Sequence, residues 1–203
     1  MYIIRFLSPQ DSDYSLVKIA VQKHYFNYFG AMPNPNPDYF ICLIKSDDSS
    51  DIIACAGITC ASSGKLFSEH YLDQSLDKIY SVNRNRILEV SCFSAFYPGI
   101  GAGQTLLKNI MHIFASRNYL YIVLTATRKV QQILQSIQDN IDYLSIADPT
   151  RVEDITIDWG TYYDSNPRVV VSKLNSSNEF ASFDKLLQSF SADKAASNHL
   201  LVL

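Results

Sequence analysis

No run of apolar residues in this sequence approaches the ~20 that a membrane-spanning helix requires. The apolar start, Met1-Tyr2-Ile3-Ile4, is too short for a signal-peptide core and no cleavage-like small residues follow it. Strong charge of either sign is missing as well. Lys and Arg number 17 against 20 Asp and Glu, a net charge of -3, and no basic run forms a phosphate-tracking stripe, so nucleic acid is disfavoured as a partner. The four cysteines, Cys42, Cys55, Cys60 and Cys92, contain no C-x-x-C pair. Buried free thiols in a reducing, cytoplasmic setting are therefore expected, rather than a disulfide framework or a zinc site. Glycine is scarce, with seven residues, and neither the dinucleotide pattern G-x-G-x-x-G nor a phosphate-loop lysine is present. No metal and no tightly bound cofactor are expected.

What is present is an ordinary globular composition, 47% hydrophobic and 18% charged over 203 residues. That is enough chain for one sizeable core without a staple. Residues 2–6 suit a short edge strand. Ser8-Pro9-Gln10-Asp11 reads as a helix start, with a hydroxyl cap, proline next and a carboxylate three residues on. Val17, Val21, His24, Tyr25 and Tyr28 follow at helical spacing, and Gly30 supplies a stop. Pro33, Pro35 and Pro37 make an extended connector. Residues 39–45 and 52–61 form a hairpin pattern around a polar turn. Residues 65–80 suggest one or two short helices, and 87–93 a strand.

Leu106, Leu107, Ile110, Met111 and Phe114 then mark a helix, residues 121–126 a buried strand, and Val130, Ile133, Leu134 and Ile137 a further helix. Residues 142–147 and 168–174 supply two late strands. The order β-α-β-β-(α)-β-α-β-α-β-β predicts an α/β fold, a mixed sheet flanked by helices on both faces. The helix between 87–93 and 121–126 has the length of a right-handed crossover, so those strands should be parallel neighbours. A domain over 1–174 and a C-terminal helical extension over 175–203, carrying Phe180, Phe183, Leu187 and Phe190, complete the reading.

The chemistry concentrates where the strand Ile87-Leu88-Glu89-Val90-Ser91-Cys92-Phe93 runs into Pro98-Gly99-Ile100-Gly101-Ala102-Gly103 and a helix opens. Small residues there let backbone N–H groups approach a phosphate. Ser91, Cys92, Phe93, Gly99, Gly101 and Gly103 are thus the donor-side candidates. Glu89 is a carboxylate inside an apolar strand, which is costly unless it is paired or useful. It either forms a salt bridge to Arg84, Arg86 or Arg128, or serves as a base whose pKa burial has raised. Strict alternation puts Glu89 on one face with Ile87, Ser91 and Phe93, and Cys92 on the other.

Further motifs make the chain recognisable: Leu66-Phe67 followed by Glu69-His70-Tyr71-Leu72-Asp73, Glu89-Val90-Ser91, Thr125-Ala126-Thr127-Arg128, Ala147-Asp148-Pro149, and Trp159-Gly160-Thr161-Tyr162-Tyr163-Asp164 with Pro167. With the early Tyr28-Phe29-Gly30-Ala31, they resemble the bacterial thermostable hemolysin family over residues 7–174. That family is similar to GNAT-superfamily acyltransferases and acyl-homoserine lactone synthases. The resemblance implies a GNAT-like fold and an acyltransferase moving an acyl group from a pantetheine thioester, on an acyl carrier protein or coenzyme A, to a small-molecule amine. It also implies Glu89 as base, Tyr71 as a possible proton donor to the leaving thiolate, and Glu69, Thr125, Thr127, Arg128 and Trp159 on the acceptor side.

Two departures matter. Cys92 stands where the synthases carry an arginine, which argues against a homoserine lactone product. Residues 96–103 offer no cation, the nearest later one being Lys108, so a carrier protein's single phosphodiester is expected over a pyrophosphate. The rival readings are a non-catalytic thioester-binding module of the same fold and a membrane-active hemolysin, although nothing in the chain reads as a pore.

Several candidates have simpler roles. Cys92 packs as a buried thiol more readily than it attacks a thioester, since no histidine neighbours it in sequence. Trp159, Tyr162 and Tyr163 suit an aromatic cluster. Tyr71 suits a structural position, and His24 and His112 suit core or surface. Thr125 and Thr127 suit a strand end and a helix cap.

Overall fold

The computed structural model describes residues 2–45, 48–152, 157–174 and 200–202, with backbone alone for 48–50 and 200–202. Eight strands and four α-helices follow one another as β1 (Tyr2–Leu7), α1 (Ser12–Phe29), β2 (Tyr39–Lys45), β3 (Asp48–Cys60), α2 (Leu76–Tyr80), β4 (Ile87–Ala95), α3 (Ala102–Ser116), β5 (Tyr121–Ala126), α4 (Arg128–Gln135), β6 (Ile141–Ile146), β7 (Arg168–Lys173) and β8 (Leu200–Val202). A 3-10 turn at Phe67–Tyr71 precedes α2. The strands form one mixed sheet in the order β6-β7-β5-β4-β3-β2-β1-β8.

Apolar patterning explains the layers. β2 carries Phe40-Ile41-Cys42-Leu43-Ile44, buried on both faces, as a central strand must be. α1 covers one face through Tyr14, Val17 and Val21 against Phe40, Cys42 and Cys55. α3 covers the other through Leu106, Leu107 and Ile110, all at 0% exposure, against Ile41, Leu43, Ile58 and Leu88. Each such side chain stabilises the fold by roughly 1.5–3 kcal/mol relative to exposure. A third cluster, Leu66, Tyr71 and Leu76 against Ile87, Val123 and Val169, lies under the short helices. Helices therefore cover both faces, as the element order predicts.

Three details differ from expectation. Asp11, rather than Ser8, is the N-cap of α1, because the Asp11 carboxylate turns back to accept from the Ser8 N–H and hydroxyl, both at 2.7 Å. The Ser-Pro-Gln-Asp turn thus precedes the helix instead of opening it. β1 is not an edge strand, since β8 pairs with it antiparallel. The predicted C-terminal helix with Phe180, Phe183, Leu187 and Phe190 lies outside the described residues. Among the described residues, no helix is long and apolar enough to cross a membrane.

β4 and β5 are parallel neighbours, but only over Ile87↔Tyr121, Leu88↔Ile122 and Glu89↔Val123. Beyond Glu89 the two strands diverge. β5 is held away by its six-residue antiparallel pairing with β7, while β4 continues along β3.

Candidate functional site

The divergence of β4 and β5 opens a cleft of about 500 Å³ through the sheet. One wall comes from the α1 side, with His24, Tyr25, Tyr28, Phe29, Ser91, Cys92, Thr125 and Tyr162. The other comes from the α3 and α4 side, with Val90, Phe93, Leu124, Val130 and Ile133. Past Glu89, the edge of β4 that faces the cleft has no strand partner among the described residues, so its backbone groups lie open toward the cleft.

A bulge reshapes β4 inside this cleft. Ser91 faces Gly57 and Ser94 faces Cys55, leaving Cys92 and Phe93 opposite the single residue Ala56. Cys92 takes φ +54°, an unusual left-handed conformation for a side-chain-bearing residue. The alternation expected from sequence therefore breaks. Cys92 packs in the α1 cluster, on the Glu89 side, and Phe93 packs with the α3 cluster, the reverse of the simple pattern. Burial pushes the Cys92 thiol up to about 12, so it stays protonated near neutrality.

The glycine loop closes one end of the cleft. Gly101, with φ +73°, is the N-cap of α3, and Gly99 and Gly103 line the wall beside it. A side chain at Gly101 would strain that left-handed turn. The first turn of α3 thus faces the cleft with its partial positive charge. Sequence proximity failed on one point here. Lys129, in the first turn of α4, stands in the same wall, so the cleft has a cation that residues 96–103 lack.

His24 belongs to the site as well. It packs against Tyr28 and Phe96, at centroid distances of 4.6 and 5.3 Å, and burial followed by Lys129 lowers its pKa, which keeps it neutral at pH 7. The spacing that put His24 on a helix was visible, but the cleft it faces was not.

Glu89 lies just behind the cleft wall, 2% exposed. Its carboxylate accepts from the Phe67 N–H at 2.9 Å, the Ser68 N–H at 2.7 Å and the Ser68 hydroxyl. None of the arginines offered by the sequence pairs with it. Burial raises its pKa, those three hydrogen bonds work against the rise, and the nearby Glu69 adds to it. The arrangement is a buried carboxylate held by neutral donors.

Residues 7–178 match the family described as thermostable hemolysin. The chain belongs to that family. Solved structures place the hemolysin-family chain in a GNAT-like fold. It is similar to the AHL synthase LasI (10% identity, TM-score 0.59, covering 91% of this chain and 95% of that one). It is also similar to TofI in an apo form (11%, 0.55, 89% and 95%) and to GCN5 of Tetrahymena (10%, 0.53, 86% and 97%). At such identities the likeness concerns the fold. No curated protein sequence matches the chain.

Within this hemolysin-family fold, Thr125 and Thr127 stand in the cleft wall with Ser91, Cys92, Phe93 and the three glycines. Four other candidates do not. Glu69 is turned inward, its carboxylate accepting from the Leu66 and Leu76 N–H groups at 2.9 Å and paired with Arg84 at 2.8 Å. Burial would raise its pKa, but Arg84 and those amides outweigh burial and lower it. Tyr71 is fully buried, its hydroxyl 2.7 Å from that of Tyr163, and burial drives its pKa well above the ordinary phenol value. Such a phenol is a poor proton donor. Arg128 is exposed at the start of α4 and is not part of the wall. Trp159 packs on Phe67, Tyr162 and Tyr163 as the aromatic-cluster reading anticipates.

That aromatic loop still shapes the site. The Thr161 N–H donates to the Phe29 carbonyl at 2.7 Å, and the Tyr162 ring stacks on Tyr25 at 6.1 Å. A Cβ on Gly160 would lie 2.0 Å from the Phe29 carbonyl oxygen, so only glycine lets the loop dock on α1. Ser68 is not among the sequence candidates, and Tyr162 is read there only as part of an aromatic cluster. No local pattern marks them, because each reaches the site through a partner more than 30 residues away.

Proposed function

We propose that the protein is an acyltransferase that carries an acyl group from a pantetheine thioester to an amine. The observation that carries this reading is the divergence of β4 and β5 beside a buried, cation-free carboxylate. The donor's amide arm would lie in the cleft like an added strand, with its phosphate toward the first turn of α3. One cation, Lys129, suits one phosphodiester, so an acyl carrier protein is expected to serve better than coenzyme A. The amine nitrogen attacks the thioester carbonyl, unpaired β4 amides stabilise the oxyanion, and the C–S bond then breaks to release the thiol. An amine with a pKa of about 10 is protonated at neutral pH and must first lose a proton, which Glu89 accepts.

Purified protein supplied with acyl carrier protein and coenzyme A thioesters, over a panel of amines, should release free thiol and form an amide. Absence of turnover together with absence of donor binding by calorimetry defeats the proposal. A second reading, a thioester-binding module without catalysis, draws on the three donors that already satisfy Glu89. Donor binding without turnover would select it.

A further inference from the structure

The Glu89 carboxylate does not itself reach the cleft, and its hydrogen-bond partners are Phe67 and Ser68. Of these, only the Ser68 hydroxyl leads onward, lying 3.0 Å from the hydroxyl of Thr125, which stands in the cleft wall. A hydroxyl carries one proton and two lone pairs. The Ser68 proton is committed to Glu89 Oε1, so Ser68 Oγ can only accept from Thr125. The order is thereby set: Thr125 O–H to Ser68 Oγ, then Ser68 O–H to Glu89 Oε1. Thr125 Oγ1 keeps a lone pair for a donor in the cleft. Tyr162, a phenol in the same wall, gives its proton to the Thr125 carbonyl at 3.0 Å and does not compete.

We propose that Ser68 and Thr125 form a two-hydroxyl proton path joining the cleft to Glu89. The inference rests on the acyltransferase reading above. In the step, an N–H bond of the acceptor ammonium breaks as its proton passes to Thr125 Oγ1. Thr125 passes its own proton to Ser68 Oγ, and Ser68 passes its own to Glu89. The nitrogen gains a free pair, Glu89 gains one O–H bond, and both hydroxyls end with one proton each. The ionisable groups around Glu89 suit a resting carboxylate that accepts readily: Glu69 and Tyr71 from the 3-10 turn, Cys92 on its own strand and Tyr162 opposite. None is a cation, and Arg84 is engaged by Glu69 and Asp77. Ser68 acts through its neighbours and is a positioning residue, whereas Thr125 would touch the amine.

Thr125→Val keeps the shape and removes the hydroxyl, while Thr125→Ser restores it. Amide formation should fall by about 10²-fold in Thr125→Val with little change in donor KM, and Thr125→Ser should recover most of it. Rates measured in mixtures of light and heavy water should bend with several protons in flight for the parent protein and straighten for Thr125→Val. An equal loss in both variants, or no loss in Thr125→Val, overturns the path. If the parent transfers no acyl group, the acyltransferase reading fails separately. The hydrogen-bonded chain is then judged by carboxyl NMR titration of Glu89. Ser68→Ala should raise its pKa, and Thr125→Val should raise it less. An unchanged titration in both variants overturns the chain.

Discussion

Around Glu69 the fold supplies a cation; around Glu89, across the same 3-10 turn, it supplies only neutral donors. Both carboxylates are buried, at 5% and 2% exposure, and both accept from backbone N–H groups of residues 66–68 or 76. Their pKa values nevertheless move in opposite directions, Glu69 down and Glu89 up. Burial acts the same way on both. The difference is Arg84, which bridges Glu69 and Asp77 and also donates to the Ala61 and Gly64 carbonyls. One glutamate thereby pins the segment ahead of α2, and the other lies behind the cleft with neutral donors in place of a cation. A buried acid is a structural anchor or a candidate base according to its partners.

The sharpest break in this comparison is Glu89→Gln. It should lower amide formation by about 10²–10⁴-fold, roughly 3–5 kcal/mol of barrier, while donor binding by calorimetry stays close to the parent value. Normal turnover in this variant would make Glu89 a second anchor.

Next in size is Arg84→Ala, which should cost about 3 kcal/mol in urea unfolding, because it leaves the Glu69 charge buried without its cation. Adding Glu69→Gln to Arg84→Ala should recover part of that loss by removing the charge. If the double variant is no more stable than the single, the cost lies in the lost carbonyl contacts of Arg84 instead.

The smallest effect is read as a sign. Glu69, with its pKa lowered from 4.5, contributes stability that is present above that ordinary value and is lost as pH falls through the lowered one. Glu89, raised from 4.5, contributes stability that is full below that value and is lost as pH rises through the raised one. Unfolding free energies against pH for Glu69→Gln and Glu89→Gln should therefore depart from the parent curve with opposite slopes. Slopes of the same sign would place both groups in one electrostatic class.

Much of the frame is legible in the sequence. The apolar run of β2, the stripe of α3 and the crossover between β4 and β5 are local patterns, and each folds as its period requires. The strand-to-glycine-loop step and Glu89 within it stood out because glycines before a helix and an acid in an apolar strand are chemical anomalies. The two arms of Thr125 and Thr127 were legible as residues but not as a wall. Glu69 is a site candidate from sequence and Tyr71 suits either a proton donor or a structural position; the fold turns both inward, since Arg84 and Tyr163 meet them from other segments of the chain.

The sequence by itself determined the element order as far as β7, the burial of the sheet and the presence of an acid within the apolar strand β4, because these follow from side-chain period and polarity along the chain. Only the tertiary structure decided that Cys92 shares the Glu89 face, that Lys129 stands in the cleft wall, and that Ser68 links Glu89 to Thr125. A one-residue bulge reverses every later side chain of a strand, and a hydrogen bond depends on atoms meeting within about 3 Å. Neither condition is written in the spacing of residues; both are set by where separate segments pack.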